Sequence, residues 1–355
     1  MSGSPVPPRF VSPWLLQGGH RQTLAGVWKP QRFPDETARQ HRVCLEDGDQ
    51  VVVHEDVPGG WRTGDRVALL VHGLAGSHAS PYMRRIASRL NGRGVRTFRL
   101  DQRTCGAGLT IARRAYHCGR SDDVRTVLWR LSEWCPGSPL ALLGFSMGGN
   151  IALKMAGEDP GRNPPVLESV FAACPPIELH RCVRHLQRGI GRMYDQYFAR
   201  LLREHVRVWQ QANPEAPAIT FRRPPRSIEE FDDVFTAPLG GFASAADYYQ
   251  KSSAAQFIPS IRVPTLIIAA QDDPMVDPRP LEEIGQTHPV SVHLAEGGGH
   301  MGFLSQGQSD PDGWWLDWRA VEWVTHFGNS RCTGHDTPSA VSEANLTSVV
   351  NPVPH

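Results

Sequence analysis

Gly144-Phe145-Ser146-Met147-Gly148-Gly149-Asn150 follows the apolar run Leu140-Ala141-Leu142-Leu143 and leads into Ile151-Ala152-Leu153-Lys154-Met155-Ala156. The spacing is G-x-S-x-G, set between a buried-strand pattern and a helix pattern. Glycines on either side of the serine leave room for a strained strand-to-helix turn that lifts the hydroxyl above a sheet. The same letters occur by chance in ordinary glycine-rich turns. The strand before them and the helix after them are the context that a nucleophile elbow requires.

Outward from this turn, apolar strands alternate with helical patterns. Strands are expected at Val67 to Val71, Val95 to Leu100, Leu140 to Leu143, Val166 to Ala173, Thr265 to Ala270 and Val290 to Leu294. The alternation predicts an α/β fold, a mostly parallel central sheet with crossover helices on both faces. Ahead of it, Arg42 to Leu45 and Gln50 to His54 flank Glu46-Asp47-Gly48-Asp49, so the sheet is expected to begin with an antiparallel hairpin.

Three helices can be read between and after the strands. One has Ser80 at the N-cap, Pro81 at the first helical position, and Tyr82, Ile86 and Leu90 at helical spacing. A second starts at Ser121, with Asp122 and Asp123 in the first turn and Val124, Val127, Leu128, Leu131 and Trp134 on one face. The last runs near Trp314 to Phe327, with Trp314, Trp318, Val321 and Val324 turned inward.

About ninety residues separate the strand ending at Ala173 from the one beginning at Thr265, far more than the two to six typical of a βα loop. Leu179, Val183 and Leu186, then Tyr194, Tyr197, Phe198, Leu201 and Leu202, recur at helical spacing. The expected organisation is therefore a core of residues 14–175 and 261–328 with a helical lid insertion at 176–260. The lid arginines, among them Arg181, Arg188, Arg192 and Arg207, read first as a solvated helix face and second as a site for an anionic substrate. The polar residues 329–355 show almost no periodicity and are expected to be disordered.

The 355 residues suffice for one large domain with an insertion, and 37 basic against 36 acidic residues give no electrostatic case for nucleic acid or an anionic membrane. Seven scattered cysteines without a C-x-x-C pair point to reduced thiols in a cytoplasmic protein, with neither a disulfide frame nor a zinc site. No signal peptide is expected from Met1 to Pro13, and no apolar run reaches the roughly 18 to 20 residues of a membrane span.

A serine hydroxyl needs a base to take its proton, and the base needs a third group to fix its tautomer. Gln271-Asp272-Asp273-Pro274 follows one late strand, and Gly297-Gly298-Gly299-His300-Met301-Gly302-Phe303 follows the next. The order Ser146, Asp273, His300 is the one the α/β-hydrolase scaffold uses. His300, in a glycine run, is poorly suited to core packing. Asp273 is preferred to its neighbour Asp272 on the usual G-x-x-D-P alignment, leaving Asp272 to cap the following turn. Two backbone N–H groups must meet the developing oxyanion. Met147, at a helix N-terminus, is expected to supply one, and Leu74 in His72-Gly73-Leu74-Ala75-Gly76-Ser77 the other. His72 is read as a loop-ordering residue.

Taken as a set, His72 to Ser77 with Ser80-Pro81-Tyr82, the Ser146 elbow, Asp272-Asp273-Pro274 and the His300 loop resemble the YheT-like branch of the α/β-hydrolases. Gly19-His20-Arg21-Gln22-Thr23-Leu24 resembles that branch's His-x-Gln-Thr segment, and Tyr116-His117-Cys118-Gly119 its Tyr-His-x-Gly segment. The likeness spans residues 14 to 327. It implies a serine esterase with the triad Ser146, Asp273 and His300, acting without metal or organic cofactor on small-molecule carboxylic esters with a lipophilic, short to medium acyl group. Relatives of the branch include phospholipase-like enzymes and acyltransferases that make ethyl esters. Asp101-Gln102-Arg103-Thr104-Cys105 departs from the branch's Asn-x-Arg-Gly-Cys. Two alternatives stay open: an acyltransferase in which an alcohol replaces water, and a non-catalytic binding protein that keeps the shape.

Overall fold

In a computed structural model, residues 5–29, 38–306 and 310–327 are described. Their eight strands form one sheet in the order β1-β2-β4-β3-β5-β6-β7-β8. The strands are β1 (Arg39–Cys44), β2 (Gln50–Asp56), β3 (Val67–Val71), β4 (Arg96–Asp101), β5 (Leu140–Phe145), β6 (Leu167–Ala173), β7 (Thr265–Ala270) and β8 (Val290–Ala295). The expected hairpin is present, since β1 pairs antiparallel with β2 around a turn in which Gly48 takes φ 77°. β2 pairs antiparallel with β4, and from β4 onward every neighbouring pair is parallel. The tail expected at 329–355 lies outside the described residues.

Helices cover both faces because the strands alternate between them. Val67, Leu69, Val71, Leu140 and Leu142 bury on the face shared with Val124, Leu128 and Ile151. Ala68, Leu70, Ala141 and Leu143 bury on the other, against Ile86, Trp315 and Val321. The helices are α1 (Gly19–Trp28), α2 (Pro81–Asn91), α3 (Ser121–Trp134), α4 (Met147–Glu158), α5 (Leu179–Leu186), α6 (Gly191–Ala212), α7 (Ile228–Phe231), α8 (Ala237–Gly240), α9 (Ala245–Ser252), α10 (Arg279–Ile284) and α11 (Trp315–His326). A π-helical turn, Asp232–Thr236, joins α7 to α8. α4 is buried along almost its whole length, as expected of a helix at the centre of one layer. Ser80 stands at the α2 cap position, but its hydroxyl accepts the Ser77 N–H instead of a helix N–H.

The chain runs from β3 outward to β4 and then back past β3 to β5. This reversal opens a crevice at the carboxyl ends of β3 and β5, where ligands of open α/β sheets bind. Residues 176–260 carry helices α5 to α9, with 213–227 outside any helix, and a small cluster of Leu202, Val206, Trp209, Phe231 and Phe235 lies within them. The segment has no separate core beyond that, because Leu179, Val183, Tyr248 and Tyr249 join the main one. Asn150 ties it down: its amide donates to Ser252 O and Cys118 O and accepts from Ala254 N.

In the stretch that departs from the branch at Asp101 and Thr104, the charged side chains are bound within the fold. Arg103, 2% exposed, forks onto Asp123 with two 2.6 Å bonds and also reaches Asp47 and Asp49 in the hairpin turn. Asp101 accepts from the backbone N–H groups of His78 and Ala107 and from the rings of His54 and His78.

Candidate active site

Ser146 sits between β5 and α4 at φ 52° and ψ −120°, a conformation strained for any residue but glycine. Its neighbours explain why the turn can form. A Cβ on Gly144 would stand 2.3 Å from Gly148 O, and one on Gly148 would stand 2.3 Å from Val71 O. The Ser146 N–H bonds Ala173 O at the end of β6, which fixes the hydroxyl above the sheet edge.

The structure brings Ser146, His300 and Asp273 together. His300 Nε2 lies 2.8 Å from Ser146 Oγ, and His300 Nδ1 lies 2.8 Å from Asp273 Oδ2. With Nδ1–H donated to the carboxylate, Nε2 is left as acceptor for the serine proton. Asp273 Oδ1 accepts the N–H groups of Met275 and Val276, at 2.8 and 3.0 Å. The turn-capping role expected of Asp272 therefore belongs to Asp273. Asp272 turns the other way and accepts the Gly299 N–H at 2.9 Å, and its burial pushes its carboxyl above the usual range.

The loop after β3 lies beside the elbow because Val71 pairs with Gly144. Its N–H groups divide cleanly. Gly73 N–H is taken by the Tyr82 hydroxyl and Ala75 N–H by the Tyr116 hydroxyl. Among the described residues neither Leu74 N–H nor Met147 N–H has a protein acceptor. His72 is fully buried, and that burial lowers its pKa from the usual imidazole value; its Nδ1 donates to Gly73 O and its Nε2 accepts Gln102 N–H, so it orders the loop.

The part played by α1 was not read from the residues. Thr23 Oγ1 accepts the His300 N–H at 2.8 Å, and the Gln22 amide exchanges two hydrogen bonds with the backbone of Leu304. Gly299, at φ 57°, would drive a Cβ to 2.2 Å from Gly19 O. The His-x-Gln-Thr segment thus clamps the His300 loop, and its likeness to a family segment was the one sequence signal for it.

Ser146 and His300 open on a cavity of about 130 Å3 walled chiefly by apolar side chains, among them Leu74, Trp209, Phe231 and Phe235. Among the described residues two groups of side chains have the donor types of a metal site: His54 with His78 and Asp101, and Cys174 with Asp273 and His300. In the first, the imidazoles stack 3.3 Å apart at 7°, so no ion can lie in both ring planes, where the nitrogen lone pairs point. In the second, both His300 nitrogens are already engaged. Among the described residues no helix is long and apolar enough to cross a membrane.

A strained serine after the fifth strand, a histidine after the eighth and an aspartate after the seventh define a class. The α/β hydrolase fold family matches residues 67–306, and the chain belongs to that family. Within it the chain is YheT-like: it is 32% identical to YheT of Escherichia coli (strain K12) over 290 residues, 81% of this chain and 84% of that one. It is 27% identical to the medium-chain fatty acid ethyl ester synthase/esterase 2 of Saccharomyces cerevisiae over 74% of this chain and 62% of that one. With mouse phospholipase ABHD3 the identity is 26%, over 66% and 58%. Among solved structures, esterase Pf2001 of Pyrococcus furiosus superposes with a TM-score of 0.54 at 17% identity, covering 91% of this chain and 97% of that one. That likeness speaks to fold.

Proposed function

We propose that this protein is a serine hydrolase of carboxylic esters, in which Ser146 is the nucleophile, His300 the general base and acid, and Asp273 the group that orients His300. The observation that carries the reading is the unbroken relay from Asp273 Oδ2 through His300 to Ser146 Oγ, at 2.8 Å in each step, beside an apolar cavity. His300 takes the serine proton as Oγ attacks the ester carbonyl, then returns it to the leaving alcohol; water repeats the cycle and frees the acid. Leu74 and Met147 N–H groups meet the oxyanion, which needs donors with no other acceptor. Residues 176–260 serve as the lid, and the apolar wall beneath it suits a short to medium acyl chain. The ester activities in the names of the yeast and mouse relatives support ester cleavage. The six cysteines among the described residues are unpaired, which fits a reducing, cytoplasmic setting.

The test is steady-state and burst kinetics of the full chain on p-nitrophenyl esters of graded acyl length. The expected result is turnover with a burst of p-nitrophenolate, which an acyl-enzyme produces; inactivity across the panel contradicts the proposal. The yeast relative's name joins synthase to esterase, so an alcohol is added in a second arm. New ester in that arm marks an acyltransferase, and free acid alone marks a hydrolase.

A further inference from the structure

The cavity beside Ser146 holds one carboxyl among its described lining residues, that of Asp232, and neither Lys nor Arg. Asp232 is 7% exposed and opens the π-helical turn between α7 and α8. π-turns within helices occur often at functional sites. Its Oδ1 accepts the Thr236 hydroxyl at 2.6 Å, and its Oδ2 accepts the Tyr249 hydroxyl at 2.8 Å. Among the described residues it makes no ion pair. Burial pushes its carboxyl up to about 7, the two hydroxyls only partly opposing that.

Carboxyls are almost never buried this far without a cation, because desolvating the charge costs more than two neutral hydrogen bonds return. A carboxylate has about four acceptor positions, and the two hydroxyls occupy two. A cavity meant only for hydrocarbon would gain from an apolar residue here. We infer that Asp232 is a specificity-determining residue, and that the ester taken by this site carries a hydrogen-bond donor, a hydroxyl or an ammonium, that docks on the Asp232 carboxylate while the carbonyl lies at Ser146. The inference rests on the serine-hydrolase reading above. It deepens that reading by naming the substrate as a polar-substituted ester.

The experiment compares kcat/KM on three series of p-nitrophenyl esters matched in chain length: unsubstituted, hydroxyl-bearing and ammonium-bearing, with the substituent moved along the chain. Wild type, Asp232→Asn and Asp232→Leu are used as full chains. The expected result is that wild type prefers one donor-bearing series by about tenfold or more, as a hydrogen bond to a charged group implies. Asp232→Leu should abolish that preference ratio, and Asp232→Asn should lower it by an amount that depends on the donor. An ammonium ligand loses the ratio fully in the Asn variant, whereas a hydroxyl ligand keeps part of it through the amide oxygen. A wild type that prefers unsubstituted chains at every length overturns the inference. So does a donor preference unchanged in both variants, or an equal loss on all three series with a lowered thermal midpoint, which marks a purely structural residue. Wild-type hydrolysis of plain esters without donor preference removes this inference alone; no hydrolysis of any ester removes the serine-hydrolase reading with it.

Discussion

Asp273 and Asp101 each hold a histidine ring nitrogen at 2.8 Å, Asp273 through His300 Nδ1 and Asp101 through His54 Nε2. The two pairs differ in what the other ring nitrogen meets. His300 Nε2 faces the hydroxyl of a strained serine at the edge of a cavity, whereas His54 Nδ1 is buried with no partner among the described residues and its ring is covered by His78. The carboxylates differ as well. Asp101 is fully buried, gathers donors from both histidine rings and from the His78 and Ala107 N–H groups, and binds the loop carrying His78 to the end of β4. An aspartate–histidine pair is thus a structural tie in one place and, in the mechanism proposed, part of a proton relay in the other. Access to a nucleophile separates them.

The comparison can be broken by substitution, and the largest effect is expected at the nucleophile. Ser146→Ala should lower kcat on p-nitrophenyl esters by about a million-fold, as nucleophile deletion does in serine proteases. Asp273→Asn should follow with a loss of about ten-thousand-fold, because His300 is then held in the wrong tautomer. Asp272→Asn is the control; its amide oxygen can still accept the Gly299 N–H, and a loss of no more than about tenfold is expected. Equal losses from the two variants would leave the assignment of Asp273 without support.

At the other pair the effect should appear in stability. Burial pushes the Asp101 carboxyl up, but the bonds from His54 and His78 outweigh it and hold the group below the usual carboxylate range. A carboxyl depressed by folding adds stability that is fully present above its unfolded pKa of about 4 and is lost as pH falls toward the folded value. Asp101→Asn should therefore cost about 1–3 kcal/mol at neutral pH and flatten the acid limb of stability against pH, read by denaturant unfolding. The smallest effect is expected at the clamp. Thr23→Val removes the acceptor for His300 N–H and should lower kcat by about tenfold, the equivalent of one hydrogen bond.

What could be read in advance follows from burial. Strands of a parallel sheet are covered on both faces, so β3, β5 and β7 show as unbroken apolar runs and their ends locate Ser146, Leu74 and Asp273. The choice within Asp272-Asp273 was less legible, because both follow the same strand and only the turn geometry sends them opposite ways. The lid was least legible. Its cavity-facing and core-facing apolar residues share one helical period, and Tyr197, which fits that period, is 58% exposed. The arginine reading fared better: Arg181 pairs with Glu178 and Glu283, and Arg207 with Glu204, as on a solvated helix face. Asp232 gave no signal, since an acidic residue in a lid helix reads as surface until the cavity behind it is seen.

The central claim is that Ser146 is an activated nucleophile, and labelling of the folded chain with a serine-directed fluorophosphonate probes it most directly. Wild type should be labelled on Ser146, and Ser146→Ala should not react. An unreactive wild type, or equal labelling of the variant, would contradict the account.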